Sequence, residues 1–180
     1  VQMNKKRPAV SRSGDSPSIP PILQVVGYSN SGKTTLVSKL IRELTIKGLS
    51  VGSLKHDAHD FEIDHPGKDT WKHREAGAKV VGITSATKAA VIFQQKKSIV
   101  EMLPFYYGLD LLIIEGYKFA DYPKIVVVRT PEHEQLLTDV TNVLCVAAWN
   151  PLPDCGHRRY SINDTAGITG EVLDLIGEQK

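Results

Sequence analysis

Two cysteines in 180 residues, Cys145 and Cys155, leave no disulfide framework to organise a small extracellular fold. No apolar run approaches the roughly 20 residues that a membrane-spanning helix needs, so no membrane partner is expected. Charge of one sign is lacking as well. The 22 basic residues face 20 acidic ones, a net +2, which gives no electrostatic ground for a nucleic-acid partner. The N-terminus has no apolar core of the kind a secretory signal carries. Together these absences point to a reducing cytoplasm. What is present is ordinary for a globular chain: 41% apolar and 23% charged residues, at a length that suits one domain.

Residues 1–21 carry four prolines and few large apolar side chains, so they are expected to form a disordered tail that cannot offset its ordering entropy. Met3 is the expected natural start, and Lys5, Lys6 and Arg7 the tail's basic cluster. From Ile22 the pattern becomes periodic. ILQVV, SVGSLK, DLLIIEG, KIVVVR and NVLCVAA are short, β-branched, strand-like runs. TLVSKLIRELTIKG places Leu36, Leu40 and Leu44 on one helical face and stops at Gly48. TWKHREAG, SIVEMLPFYY, PEHEQLLTDV and the stretch from Asp164 to Ile176 are read as further helices, and WNPLPDCGHRR as a loop. Alternation of strands and helices predicts parallel pairing. KVVGIT and AAVIF lie too close for a helix between them, which predicts a hairpin on the sheet edge. An edge of that kind invites a second copy, hence a homodimer.

GYSNSGKTT, residues 27–35, fits G-x-x-x-x-G-K-[ST], with a strand before it and a helix after it. The glycines let the backbone close on a phosphate, the amides form an anion nest, and the helix dipole adds positive potential. Asn30, Ser31, Gly32, Lys33, Thr34 and Thr35 are therefore the predicted nucleotide-binding residues, with Lys33 on the outer phosphates and the Thr34 hydroxyl on Mg²⁺. A branch of this fold carries an extra lysine just after the first glycine, reaching across a dimer. Tyr28 stands there, so that mechanism is not supported. The expected fold is α/β and P-loop NTPase-like: a mostly parallel sheet with helices on both faces and an edge hairpin, spanning 22–180.

Glu115, ending the apolar run DLLIIEG, is the candidate acidic partner of the metal and, with Lys33, a candidate catalytic residue. Asp110 begins the same run and falls on the wrong sheet edge. The loop after the second strand holds His56, His59, His65 and His73 among Asp57, Asp60, Glu62, Asp64 and Asp69. Three readings are open: a transition-metal site, a solvated loop, or a switch segment that senses phosphate and Mg²⁺. In the last, Lys55, His56, Asp60, Asp64, Lys68 and Arg74 are the ligand-facing candidates, Lys72 adds positive charge, and Asp57 adds a metal ligand. After the late strand, Asn150 suits a guanine reader, but Pro151 replaces the usual lysine and Asp154 is one position late. Trp149 either stacks on a base or plugs the core.

GYSNSGKTTL, LKHDAHDFEIDHPGKDTWKHREAGA and LLIIEGYK together resemble the MobB family of molybdopterin-guanine dinucleotide biosynthesis adaptors, from about Ile22 to near Ala148. The carrying residues are Lys55-His56, Asp64-His65-Pro66-Gly67-Lys68-Asp69, Arg74-Glu75-Ala76-Gly77-Ala78 and Glu115-Gly116-Tyr117-Lys118. The family often has a histidine pair where Ala58 and His59 stand. The resemblance implies a dimeric GTP-binding protein with weak hydrolysis and Mg²⁺. It would assist a separate nucleotidyltransferase that joins GMP to molybdopterin, by offering GTP or shielding the pterin product. Slow turnover agrees with the lack of an assignable catalytic Gln or arginine finger. Two other readings remain: a small-molecule kinase of the same fold, with Arg158 and Arg159 as lid cations, and a metallochaperone-type GTPase using the His-rich loop.

Overall fold

The computed structural model describes residues 18–57, 60–151 and 156–178. The expected tail therefore lies largely outside the described residues, as do His59, Asp154 and Cys155. Among the described residues, no helix is long and apolar enough to cross a membrane.

Six strands form one parallel sheet in the order β2-β5-β1-β6-β7-β8. They are β1 (Ile22–Gly27), β2 (Val51–Lys55), β5 (Leu111–Glu115), β6 (Lys124–Val128), β7 (Val143–Ala148) and β8 (Arg159–Ser161). The four central strands, β5, β1, β6 and β7, are the continuous apolar runs, which is the pattern of strands buried on both faces. Alternate residues divide the core. Leu23, Val25, Leu111, Ile113, Ile125, Val127 and Cys145 pack under the helices α1 (Lys33–Ile46) and α5 (Thr165–Glu178). Ile22, Leu112 and Ile114 point the other way, under α3 (Ile99–Met102) and the 3-10 turn Leu103–Tyr106. Val26, Val126, Val128 and Val146 do the same under α4 (Leu136–Asp139).

Helix α1 ends as its sequence predicts. Gly48 takes φ +89°, its amide bonds the Thr45 carbonyl, and the Leu49 amide bonds the Leu44 carbonyl. That pair of bonds is a Schellman stop, which only a residue at ease with positive φ closes cheaply. Two expected helices are shorter than their patterns. Pro104 cannot supply an amide, so α3 gives way to the 3-10 turn. PEHEQLLTDV divides into the 3-10 turn Pro131–Gln135 and α4. β8 (Arg159–Ser161) starts on the last residue of the stretch read as a loop and was not expected as a strand. It is held by α5, where the buried Glu171 accepts from Arg158 Nη1 at 2.8 and 2.9 Å and from the Tyr160 hydroxyl at 2.5 Å.

The hairpin forms, but off the edge. β3 (Val80–Thr84) and β4 (Ala89–Phe93) make an antiparallel sheet of their own, while β2 and β8 are the edges of the main sheet. β5 and β6 flank β1 on opposite sides, and eight residues, 116–123, cross over β1 between them without a helix. The fully buried Gln24 holds this crossing. Its Nε2 donates to the carbonyls of Gly116 at 3.1 Å and Tyr117 at 2.7 Å.

Candidate nucleotide site

The chain leaves β1 at the point where its two neighbours, β5 and β6, lead to opposite halves of the sheet. In open parallel sheets the crevice at the carboxyl ends beside such a point is where ligands bind. Residues 28–32 turn there before α1 begins. Asn30 has φ +57° and Gly32 φ +104°, so consecutive amides curl inward. A Cβ on Gly32 would stand 3.2 Å from the Trp149 ring. No side chain caps α1, and its first turn holds no acidic residue. The amides of Lys33, Thr34 and Thr35 are therefore left for an anion. The Ser31 hydroxyl is buried with no hydrogen-bond partner among the described residues. Ordinary helix starts are capped by Ser, Thr, Asp or Asn, and this one offers only donors.

Lys33 Nζ lies 2.6 Å from the Tyr28 carbonyl. Burial pushes its ammonium below the usual lysine range, Glu115 opposes that, and Lys118 and Lys55 add to it by repulsion. Thr34 Oγ1 donates to Glu115 Oε1 at 2.7 Å. The sequence placed these two residues 81 positions apart in the same role, and the fold brings them into contact. Glu115 is only 8% exposed and stands beside Val25 in β1 and Lys55 in β2. A hydroxyl and a carboxylate at one point make a hard oxygen pair, so the residues present fit Mg²⁺. Asp110 bonds the amide and hydroxyl of Ser50, at the opposite end of β5.

The loop after β2 starts at the same end. The His56 amide bonds the Glu115 carbonyl at 2.9 Å, and the His56 ring stacks on Tyr117 with centroids 4.1 Å apart. Asp57 follows it, exposed. Further on, the loop is tied to itself. Asp64 accepts from the His65 amide and from Thr70 Oγ1, and Arg74 bonds Glu62 at 2.9 Å. Lys68 precedes α2 (Asp69–Glu75) and, like Asp60, is exposed. Phe61 and Ile63 are about two-thirds exposed. Among the described residues, no group of three or more His, Cys, Asp or Glu side chains would hold a metal. His56 is thus brought to the cradle, whereas Asp64 and Arg74 are engaged within the loop.

Trp149 does not plug the core, since about half of it is exposed. Its Nε1 donates to the Ser31 carbonyl at 2.8 Å and its ring covers Gly32, so it braces the phosphate loop from behind. Arg129, at the end of β6, packs over the Trp149 ring and donates to the Asn30 carbonyl at 2.6 Å. Asn150 follows Trp149 at the same sheet end, exposed. Sequence reasoning missed Arg129, and it named Lys118 only as part of the Glu115–Lys118 motif, without a place at the loop. The signal for both was positional: each lies one to three residues beyond the carboxyl end of a buried strand. Of the two proposed lid arginines, Arg158 is bonded to Glu171 and Arg159 is inside β8, at the edge of the sheet.

The family model described as Molybdopterin guanine dinucleotide synthesis protein B matches residues 22–149. The molybdopterin-guanine dinucleotide biosynthesis adapter protein of Escherichia coli (strain K12) is 33% identical over 168 residues, 88% of this chain and 95% of that protein. The protein of the same name from Haemophilus influenzae is 35% identical over 136 residues, 73% of this chain and 76% of that one. Among solved structures, the crystal structure of Bacillus subtilis MobB is similar with a TM-score of 0.73 and 29% identity, covering 86% of this chain and 97% of that one.

Proposed function

The chain belongs to the MobB family of molybdopterin guanine dinucleotide synthesis proteins, and we propose on that premise that it is a GTP-binding adaptor of molybdenum cofactor biosynthesis. It holds a guanine nucleotide with Mg²⁺ for a separate nucleotidyltransferase that joins GMP to molybdopterin. The observation that carries this reading is the 2.7 Å contact between Thr34 and Glu115 at the mouth of an uncapped, left-handed phosphate loop. Mg²⁺ bound there would neutralise phosphate charge. The chain's own residues supply the rest. Loop amides cradle the phosphates, Lys33 leaves the Tyr28 carbonyl for an outer phosphate oxygen, and Glu115 holds the Thr34 hydroxyl in place.

An adaptor also needs surfaces for others. Phe61 and Ile63 on the loop after β2, and Phe119 on the crossing after β5, expose large apolar groups at the nucleotide end. They are what a partner enzyme or a pterin would cover. The β3–β4 ribbon exposes Val80, Ile83 and Val91 by about half or more. A two-stranded ribbon is marginal alone, so a second copy of the chain is its proposed cover and the protein a homodimer. Hydrolysis on this reading is slow and incidental: Arg129, the arginine brought to the phosphate loop, is engaged with the Asn30 carbonyl and the Trp149 ring. The test is a pull-down from cytosol with and without a GTP analogue. Recovery of a molybdenum-cofactor nucleotidyltransferase by wild type but not by Lys33→Ala is expected. Recovery of none by either protein refutes the adaptor role.

A further inference from the structure

Tyr28 occupies the position where one branch of this fold carries a second phosphate lysine, and here it carries a lysine that comes from elsewhere. Lys118 Nζ sits 4.2 Å from the centroid of the Tyr28 ring. The carbonyl of the same residue accepts Lys33 Nζ at 2.6 Å. One residue of the loop thus holds two ammonium groups, one on its backbone and one on its aromatic face. The Tyr28 ring is half-buried against the cluster around Val126, and its face holds a cation less strongly than a phosphate oxygen would, so this is a weak resting place.

The segment that presents Lys118 is fixed firmly. Gln24 bonds the carbonyls of Gly116 and Tyr117, the Gly116 amide bonds Val25, and the Ala120 amide bonds Tyr117. Gly116 takes φ +102° and lies against His56, where a Cβ would meet His56 Cβ at 3.2 Å. Tyr117 holds φ +51°, an uncommon conformation for a bulky residue, and its ring stacks on His56. Strain of this kind persists where surrounding contacts over-determine it. The contacts here fix the direction in which the next residue leaves, toward Tyr28. Lys33, Lys55 and Lys118 are close enough to repel, and Glu115 is the carboxylate that acts on Lys33 among them. Two further ammonium groups acting on Lys33 suit a ligand that brings negative charge of its own.

We propose that Lys118 is a second phosphate-binding cation of this site, parked on the Tyr28 ring and transferred to the terminal phosphate of a bound nucleoside triphosphate. The inference rests on the nucleotide reading above and deepens it: it makes Lys118 the group that separates triphosphate from diphosphate. Lys33 engages phosphates common to both, while Lys118 has a partner only when the terminal phosphate is present. It also places the second lysine in the same chain, so a triphosphate is recognised without a residue from the dimer partner.

The experiment is calorimetric binding of GDP and of a non-hydrolysable GTP analogue, each with Mg²⁺, to wild type, Lys118→Met, Lys118→Arg and Lys33→Ala. Losing one charge-assisted contact should weaken analogue binding by Lys118→Met about tenfold or more. GDP binding should change by less than about twofold, the scale of a distant screened charge. Lys118→Arg should restore most of the analogue affinity. Equal losses for both nucleotides, or no loss for either, overturn the proposal. Lys33→Ala separates the two levels. If it loses both nucleotides while Lys118→Met discriminates between neither, the site stands and Lys118's role falls. If Lys33→Ala binds both as wild type does, the nucleotide site itself is wrong and this inference falls with it.

Discussion

Glu115→Gln perturbs the metal end of the site with least collateral change. Glutamine keeps the volume of the side chain and an oxygen that accepts from Thr34 Oγ1 across the 2.7 Å contact. What goes is one negative charge at a position only 8% exposed, with Lys33 close enough to feel it. Two effects of opposite sign follow. With Mg²⁺, the carboxylate that holds the metal or its ligand is missing, and replacement of such partners costs about 10–100-fold in metal affinity. Without Mg²⁺, removal of a negative charge beside a polyphosphate leaves nucleotide binding unchanged or tighter. The assay titrates Mg²⁺ against a fixed concentration of fluorescent GTP analogue, with a parallel series in chelator. The expected result is a Mg²⁺ midpoint raised about 10–100-fold with no loss of affinity in chelator. An unchanged midpoint refutes the assignment of Glu115. Equal loss with and without metal refutes it too, because that outcome is damage to the loop and not removal of a metal partner.

Three further outcomes test other parts of the structure. Trp149→Phe deletes the 2.8 Å bond to the Ser31 carbonyl while keeping an aromatic ring behind Gly32; a loss of about 1 kcal/mol in nucleotide binding is expected by calorimetry, with little change in thermal unfolding. Ile83→Lys places a charge on the exposed β3–β4 ribbon and should shift sedimentation from dimer to monomer, an unchanged dimer removing the ribbon from the interface. The Ser98 amide, then Lys97, then the Ser98 hydroxyl hold the Glu101 carboxyl down at about 2. A depressed carboxyl favours the fold above its unfolded range and loses that contribution as pH falls toward its folded value, so stability should slope downward between about pH 4.5 and 2. Glu101→Gln keeps a capping box in kind and should flatten that part of the acid-unfolding curve.

Legibility followed the range of the interactions. The phosphate loop could be read because its chemistry is local: glycines, amides and a helix start within nine residues. Glu115 could be read because a buried strand ends in a carboxylate, and the strand's own apolar run announces where that end lies. The hairpin's existence was equally local, but its place was not. Strand spacing alone says nothing about which sheet a ribbon joins, and β3 and β4 pair with each other only. β8 was missed because three residues carry no period, and its support comes from Glu171 on α5, bonded to Arg158 and Tyr160 across a turn of chain. Trp149 was left open between two roles, and the structure gives a third, since no sequence pattern reports that an indole N–H faces the back of a loop 118 residues earlier.

The crossing from β5 to β6 joins these pieces. A parallel connection without a helix has no helical hydrogen-bond ladder of its own, so its carbonyls look outside for donors. Gln24 satisfies two of them from the middle strand. That choice places a polar side chain in the centre of the sheet, beside the buried Lys124 of β6 and between the apolar cluster around Leu112 and the one around Val126. Its Oε1 has no partner among the described residues, and an unpaired buried acceptor costs about 1–3 kcal/mol. A leucine would suit the core better and would release the crossing. The glutamine holds what the crossing bears: Glu115 at its start, Tyr117 stacked on His56, and Lys118 over Tyr28. Holding that segment rigid aligns Glu115, the proposed metal partner, and Lys118, the proposed second cation, with one phosphate loop, and the cost is borne in the core.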